Sequence, residues 1–277
     1  MHRAFVVSSA SGLGYGELRR FDDSVGWTTF GPSEIKDPRG VRRRPQDRYL
    51  VINEPSAAVW LLGFDGSAIA RIEVPSGLDP GGGVFGPDGM YYVGSRSQSS
   101  IHKVDLATRR YCGQALSLEG ILFPRGCAIL GDGRFVVASG THPARGGGRR
   151  ALLLYNREGA LEDDSFVVDP QLDPLDVVLR DDDLYVTSEF PFGATDAAAT
   201  LRRYSVATGS LNGVWSLQDI PTFGPVRKPR GIAFDENGTL LICAQSCVAA
   251  VNVGIADGVA MVAVDERLAG QSLAVVR

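Results

Sequence analysis

The sequence predicts an all-β fold of six similar units, on three observations. First, a short phrase recurs along the chain: Pro38-Arg39-Gly40, Pro80-Gly81-Gly82, Pro124-Arg125-Gly126, Pro174-Leu175-Asp176, Pro229-Arg230-Gly231 and Leu268-Ala269-Gly270. Successive third positions lie 42, 44, 50, 55 and 39 residues apart, and the stretch from Gly270 through both termini to Gly40 is of similar length. Second, each phrase opens the same kind of text. At residues 231–242 a short apolar strand meets Asp235-Glu236-Asn237-Gly238 and a second apolar strand follows. Third, 34 Gly and 15 Pro punctuate the chain into short segments with few helix signals, the mark of an all-β fold. A period in this range, with four short strands per unit, predicts a β-propeller, here six-bladed.

Each unit reads as strands a to d from the axis outward. In the first complete unit strand b is 49–53 and strand c is 57–64, and Asp65-Gly66 turns into strand d, 68–74. Asp-Gly between apolar runs is a strong hairpin signal. The same pattern recurs at 150–155 with the turn 156–159, at 200–204 with the turn 205–209, and at 248–253 with Asp257-Gly258. The ends complete one another: 272–276 reads as a strand a, and 3–8, 16–21 and 26–30 as strands b, c and d. One domain over 1–277 follows, its last blade closed by both termini, because an open ring would leave strand edges unpaired.

Composition narrows the function classes. A net charge of −4 gives no general basic footprint for nucleic acid. No apolar run approaches the roughly 18 residues of a membrane span. The N-terminal apolar stretch of four residues is shorter than the core of about 7–15 in a signal peptide. The four cysteines read as reduced core residues of a cytoplasmic protein. A Cys243–Cys247 metal or redox pair is the sharper alternative, without a third or fourth ligand nearby.

The text from Pro229-Arg230-Gly231 through Asn237-Gly238 and the following apolar strand resembles the NHL repeat. All six units fit that outline, so the whole chain resembles the six-bladed superfamily of NHL, gluconolactonase (senescence-marker-protein-like) and strictosidine-synthase-like propellers. That fold hosts lactonases, lyases, condensing enzymes and binding modules, so the resemblance implies the fold and leaves the function open. In the lactonase branch, acidic and amide ligands for a divalent cation stand just before the Gly that opens strand a. The corresponding positions here hold Arg39, Gly81, Arg125, Leu175, Arg230 and Ala269, none of them a metal ligand. The virginiamycin-lyase-like branch works with His and Glu beside a metal, and this chain has only His2, His102 and His142. No metal and no other cofactor is therefore expected.

Loop length marks one face. The a–b turns are brief, whereas 10–15, 31–37, 140–148, 190–199 and 218–228 are long and leave from the opposite face. Insertions confined to one face of a repeat protein usually mark its binding face. Arg39, Arg125 and Arg230 occur in the first, third and fifth units and are expected to form a near-threefold set at that mouth, where guanidinium forks suit carboxylate or phosphate. Asn53, Ser139 and Ser188 end strand b in equivalent positions, with Glu54 and Glu189 following. Phe190 and Phe192 offer an aromatic wall, with Trp60, Trp215 and Phe223 more distant. An acid/base pair of Glu189 and His142 would suit a lyase or a ring-opening hydrolysis.

Each of these has a plainer reading. The arginines can pair with carboxylates of neighbouring units, the Ser and Asn side chains can satisfy strand-end backbone groups, and loop Glu and His can simply be solvated. Arg42-Arg43-Arg44 reads as an irregular, partly exposed first strand. The expected function is binding of a small anionic organic molecule at the loop-rich mouth, with an enzyme favoured: a metal-independent lyase, cyclase or lactonase-like hydrolase. The alternatives are a non-catalytic scaffold with a protein partner on that face, and an RNA-binding NHL module, which the acidic total disfavours.

Overall fold

The computed structural model describes residues 3–9, 16–44, 46–55, 58–95, 97–118, 124–141, 148–220, 223–255 and 258–276. The connection 10–15, His142 and Asp257 lie outside the described residues. The chain opens with β1 (Ala4–Ser9), β2 (Leu18–Asp22) and β3 (Gly26–Phe30). Four antiparallel four-stranded sheets follow. They are β4 (Gly40–Arg42), β5 (Tyr49–Glu54), β6 (Ala58–Gly63) and β7 (Ala68–Glu73); β8 (Pro80–Phe85), β9 (Tyr91–Ser95), β10 (Ser100–Asp105) and β11 (Arg110–Ser117); β12 (Pro124–Ile129), β13 (Phe135–Ser139), β14 (Ala151–Tyr155) and β15 (Leu161–Val168); β16 (Pro174–Arg180), β17 (Asp183–Phe190), β18 (Ala198–Ser205) and β19 (Leu211–Ser216). The last strands, β20 (Arg227–Phe234), β21 (Leu240–Val251) and β22 (Val259–Val275), join the first three in one six-stranded sheet, in the order β20-β21-β22-β1-β2-β3.

The expected six blades are thus corrected to five. Repeats five and six share a single sheet because the link between them is too short to break the pairing. β22 pairs with β21 from Val259 to Val264, reaches Ala269 opposite Gln245, and pairs with β1 from Gly270 to Val275. Within β21 the faces switch. Leu240, Ile242 and Ala244 share a core cluster with Cys247, Ala249 and Val251, whereas Leu241 and Cys243 share another with Val248 and Ala250. A straight strand alternates faces strictly, so β21 turns over between Ala244 and Cys247, where Ser246 has φ 67°. The pairing of β1 with β22 on one side and β2 on the other closes the ring through both ends of the chain.

Second strands are buried throughout, as β9 and β13 show, while outer strands such as β15 and β19 are largely exposed. The hairpins turn where Asx side chains and glycine allow. Asp65 Oδ1 accepts the Ser67 N–H at 2.9 Å and Gly66 takes φ +89°. The inner strands β4, β8, β12, β16, β20 and β22 touch one another in cyclic order around one axis.

The recurring phrase has a packing cause. A Cβ on Gly40 would stand 2.7 Å from the Gly81 carbonyl oxygen, and one on Gly126 3.0 Å from Asp176 Cα. Neither is a close contact that real side chains make, so glycine lets neighbouring inner strands approach.

Cys127, Cys243 and Cys247 are buried, and burial pushes each thiol up to about 12. Cys112 is exposed on β11, which corrects its reading as a core residue. Cys243 and Cys247 face different core clusters, so they do not converge as a pair. Among the described residues no group of three or more His, Cys, Asp or Glu could hold a metal ion, and no helix is long and apolar enough to cross a membrane.

Two outcomes are expected. Deleting Met1–Ser9 removes the strand that stitches β22 to β2, so the shortened chain should aggregate or melt without a cooperative transition; a wild-type melting curve would contradict the closure. A chromogenic disulfide reagent at pH 8 should titrate Cys112 alone in the native protein and all four thiols in denaturant.

Candidate functional site

At the end of the axis that carries the recurring phrase lies a cavity of about 40 Å³, lined by Arg39, Arg42, Gly81, Gly82, Arg125, Leu175, Asp176, Arg230, Gln271 and Ser272. All these residues stand on or beside inner strands. The three arginines singled out from the sequence are brought together here, each by the residue that precedes the inner-strand glycine of its unit. Their orientations are held by different partners. Arg39 Nη2 donates to Asp37, Arg230 Nη1 donates to Gln271 Oε1 at 2.6 Å, and Arg125 Nη2 donates to the Thr141 carbonyl. Arg39 Nε is buried without a hydrogen-bond partner among the described residues.

The floor is an ion pair that no motif announced. Arg42 crosses the axis from β4 and reaches Asp176 of β16, Nη2 to Oδ2 2.9 Å. Its Nε donates to the Gly83 carbonyl of β8 at 2.8 Å, and its Nη1 donates to Ser272 Oγ of β22 and to the Val41 carbonyl at 3.2 Å. The Asp176 carboxylate also accepts Val177 N at 2.9 Å and Ile232 N of β20 at 3.3 Å. Burial pushes the Asp176 carboxyl above its usual range, with Arg42 pulling the other way. Burial likewise works against the Arg42 charge, but Asp176, together with Tyr91 and Cys127, more than offsets it. A buried charge persists only when paired and hydrogen-bonded, and this one uses four donor contacts.

Arg42, Arg43 and Arg44 are partly exposed on or just after the short strand β4, as read from the sequence, yet each is engaged within the fold. Arg43 donates to the Val275 carbonyl at 3.0 Å, and Arg44 grips Asp47 through two bonds of 2.9 and 3.1 Å. The signal was present as two departures from the repeat. Arg42 stands where four of the other five inner strands hold Val or Ala and the last holds Ser272, and Asp176 stands where the other five phrases end on glycine. Only the fold shows that the two departures meet.

Other expected site residues do not line the cavity. Asn53 donates to the Gly81 carbonyl at 2.6 Å and accepts from Tyr91 at 3.2 Å. Ser139 Oγ accepts Arg149 N at 3.0 Å, and Ser188 Oγ accepts Asp173 N at 2.9 Å. Glu54 is buried and accepts Trp60 Nε1 at 2.7 Å and Lys36 N at 3.3 Å. Glu189 is buried too, accepting Lys228 N at 2.9 Å and Gly193 N at 3.4 Å. These side chains serve strand ends and loops, as Ser, Asn and carboxylates do when buried beside unpaired N–H groups. His142 lies outside the described residues, so no pairing with Glu189 is drawn. Trp215 and Phe223 belong to the core between sheets, and Trp60 packs at the edge of another core cluster, all away from the mouth.

Phe192 is not itself a lining residue but stacks with one, the Arg125 guanidinium carbon lying 4.9 Å from its ring centroid. Phe190 lies under Arg150 at 5.3 Å. Thr141, whose carbonyl holds Arg125, is itself held by the buried Asp173 carboxylate through its N–H at 2.7 Å and its hydroxyl.

No protein-family model matches the chain, and no curated protein matches it. Solved structures do resemble it. A chain of a nidogen–laminin complex is 10% identical, with a TM-score of 0.70 over 100% of this chain and 99% of that one. A protein of unknown function from Bacteroides caccae is 13% identical, with a TM-score of 0.69 over 100% of each chain. Virginiamycin B lyase from Staphylococcus aureus is 12% identical, with a TM-score of 0.54 over 95% of this chain and 74% of that one. The fold is a β-propeller. At such identities the likeness speaks for architecture alone.

The clamp carries a prediction. Asp176→Asn leaves Arg42 buried without its anion and should cost about 3 kcal/mol, read as a lowered urea midpoint. The double change Arg42→Met with Asp176→Leu, which removes both charges, should cost clearly less. Equal losses would mean the pair acts as two separate contacts.

Proposed function

We propose that this propeller binds a small organic anion at the mouth of its axis, through Arg39, Arg125 and Arg230. The observation that carries the reading is their convergence on one cavity from alternate repeats, each oriented by its own neighbour. Guanidinium groups arranged around a point match the planar, bidentate geometry of carboxylate and phosphate. Arg39 Nε, buried and without a hydrogen-bond partner among the described residues, adds a donor whose desolvation a ligand oxygen would offset. The cavity volume of about 40 Å³ suits one carboxylate or phosphate group, with the rest of the ligand lying outside. Whole small-molecule sites are larger, about 300–1,000 Å³.

A lyase-type reaction is the second reading, favoured by the shared fold with virginiamycin B lyase. It receives less support from the site. Asp176 is the one carboxylate among the described lining residues, and it is engaged by Arg42 and two backbone N–H groups. A concave cationic mouth favours a small anion over a flat protein partner, and the engagement of Arg42, Arg43 and Arg44 within the fold disfavours an RNA-binding stripe.

Calorimetric titration with acetate and with inorganic phosphate at low ionic strength tests the proposal. A saturable heat is expected, unaffected by a chelator and lost in Arg39→Gln/Arg125→Gln/Arg230→Gln with the circular-dichroism spectrum retained. Anion at about 100 times its dissociation constant should add roughly 2.7 kcal/mol of stability. An unchanged heat in the triple variant would place binding elsewhere.

A further inference from the structure

We infer that the anion taken at this mouth carries an aryl or other planar π group, and that Phe192 with Arg125 forms the shelf on which that group lies; the inference rests on the anion-binding reading above. The three arginines differ in what surrounds them. Arg39 is tied to a carboxylate and Arg230 to an amide, whereas Arg125 is tied to a backbone carbonyl and lies over an aromatic ring. Of these three arginines, Arg125 is the one whose guanidinium is seen stacked on an aromatic ring, that of Phe192. The mouth therefore has an aromatic side at Arg125.

The shelf is built to hold its shape. Asp173 is fully buried and binds both the N–H and the hydroxyl of Thr141, whose carbonyl in turn holds Arg125. Arg150 Nε lies 3.7 Å from the same Asp173 carboxylate, and its guanidinium covers Phe190. Ser188, at the end of β17, accepts the Asp173 N–H. Two arginine–phenylalanine stacks thus flank one buried carboxylate at the junction of β13 and β17.

Core packing does not account for these two rings. Phe190 and Phe192 belong to none of the hydrophobic clusters of the described residues, and both are only half-buried. An aromatic ring kept at a polar rim beside a ligand-facing guanidinium is placed to extend a stack. Planar π groups gain from both the ring and the guanidinium face. A carboxylate or phosphate seated between the arginines would then direct its attached group over Phe192. Aryl carboxylates and aryl phosphates share this chemistry.

Calorimetry on the intact protein separates the possibilities with paired probes: acetate against phenylacetate, inorganic phosphate against phenyl phosphate, and cyclohexylacetate as a non-planar match in size. Phenylacetate or phenyl phosphate is expected to bind about tenfold more tightly than its unsubstituted partner, and whichever pair shows the larger gain names the anion class. Cyclohexylacetate should share little of that gain. Phe192→Leu, which keeps an apolar side chain in the loop, should bring the ratio to within about twofold of one, and Arg125→Lys should lower it as well. An aryl ratio near one in the wild type, a ratio untouched by Phe192→Leu, or an equal gain from cyclohexylacetate would each overturn the shelf while leaving anion binding standing. No binding of any probe would overturn both.

Discussion

The Arg42–Asp176 pair is the constraint around which the molecule is arranged. It spans the axis from the first repeat to the fourth, and its hydrogen bonds reach inner strands β4, β8, β16, β20 and β22. A propeller must fill or flood its centre. Here the narrow end of the cavity is stopped by two charges that satisfy each other and the backbone around them. Such a pair contributes little as attraction alone, because burial costs each charge its water. Its value is geometric, since the donors of one guanidinium fix the relative placement of three other strands.

Glycine makes that arrangement possible. At Gly40 and Gly126 a side chain would collide with the next inner strand, so the repeated phrase is foremost a close-packing device. Asp176 occupies the same position in the fourth repeat, and its carboxylate fills space that glycine leaves open elsewhere. The arginines one position earlier in the phrase point to the mouth above. One three-residue phrase therefore sets both the tight waist and the cationic rim.

The rim is unequal by design of its neighbours. Thr141, Asp173 and Ser188 form a chain of hydrogen bonds that ends on Arg125, whereas Arg230 is held by Gln271, which in turn donates to the Ala269 carbonyl. Serine and asparagine side chains that a linear reading places in a ligand site turn out to hold the scaffold beneath it. Buried polar groups in a β-ring are consumed first by strand ends, whose N–H groups have no other partner. The same accounting absorbs Glu54 and Glu189.

The sequence by itself determined the all-β class, the hairpin turns at 65–66, 156–159 and 205–209, the joining of the two termini, and the three arginines that line the cavity. Each of these is written locally, in alternation, Asx-Gly turns and a repeated phrase, so a one-dimensional reading reaches it. The tertiary structure alone decided the count of sheets, because a continuous β22 depends on a connection too short to break pairing. It also decided the partners of Arg42 and Asp176, which lie 134 residues apart and meet only when the ring closes. The duties of Glu189, Ser139 and Ser188 belong to the same class, since a hydrogen-bond donor can be claimed by whichever acceptor folding brings nearest, and no spacing along the chain records which one arrives.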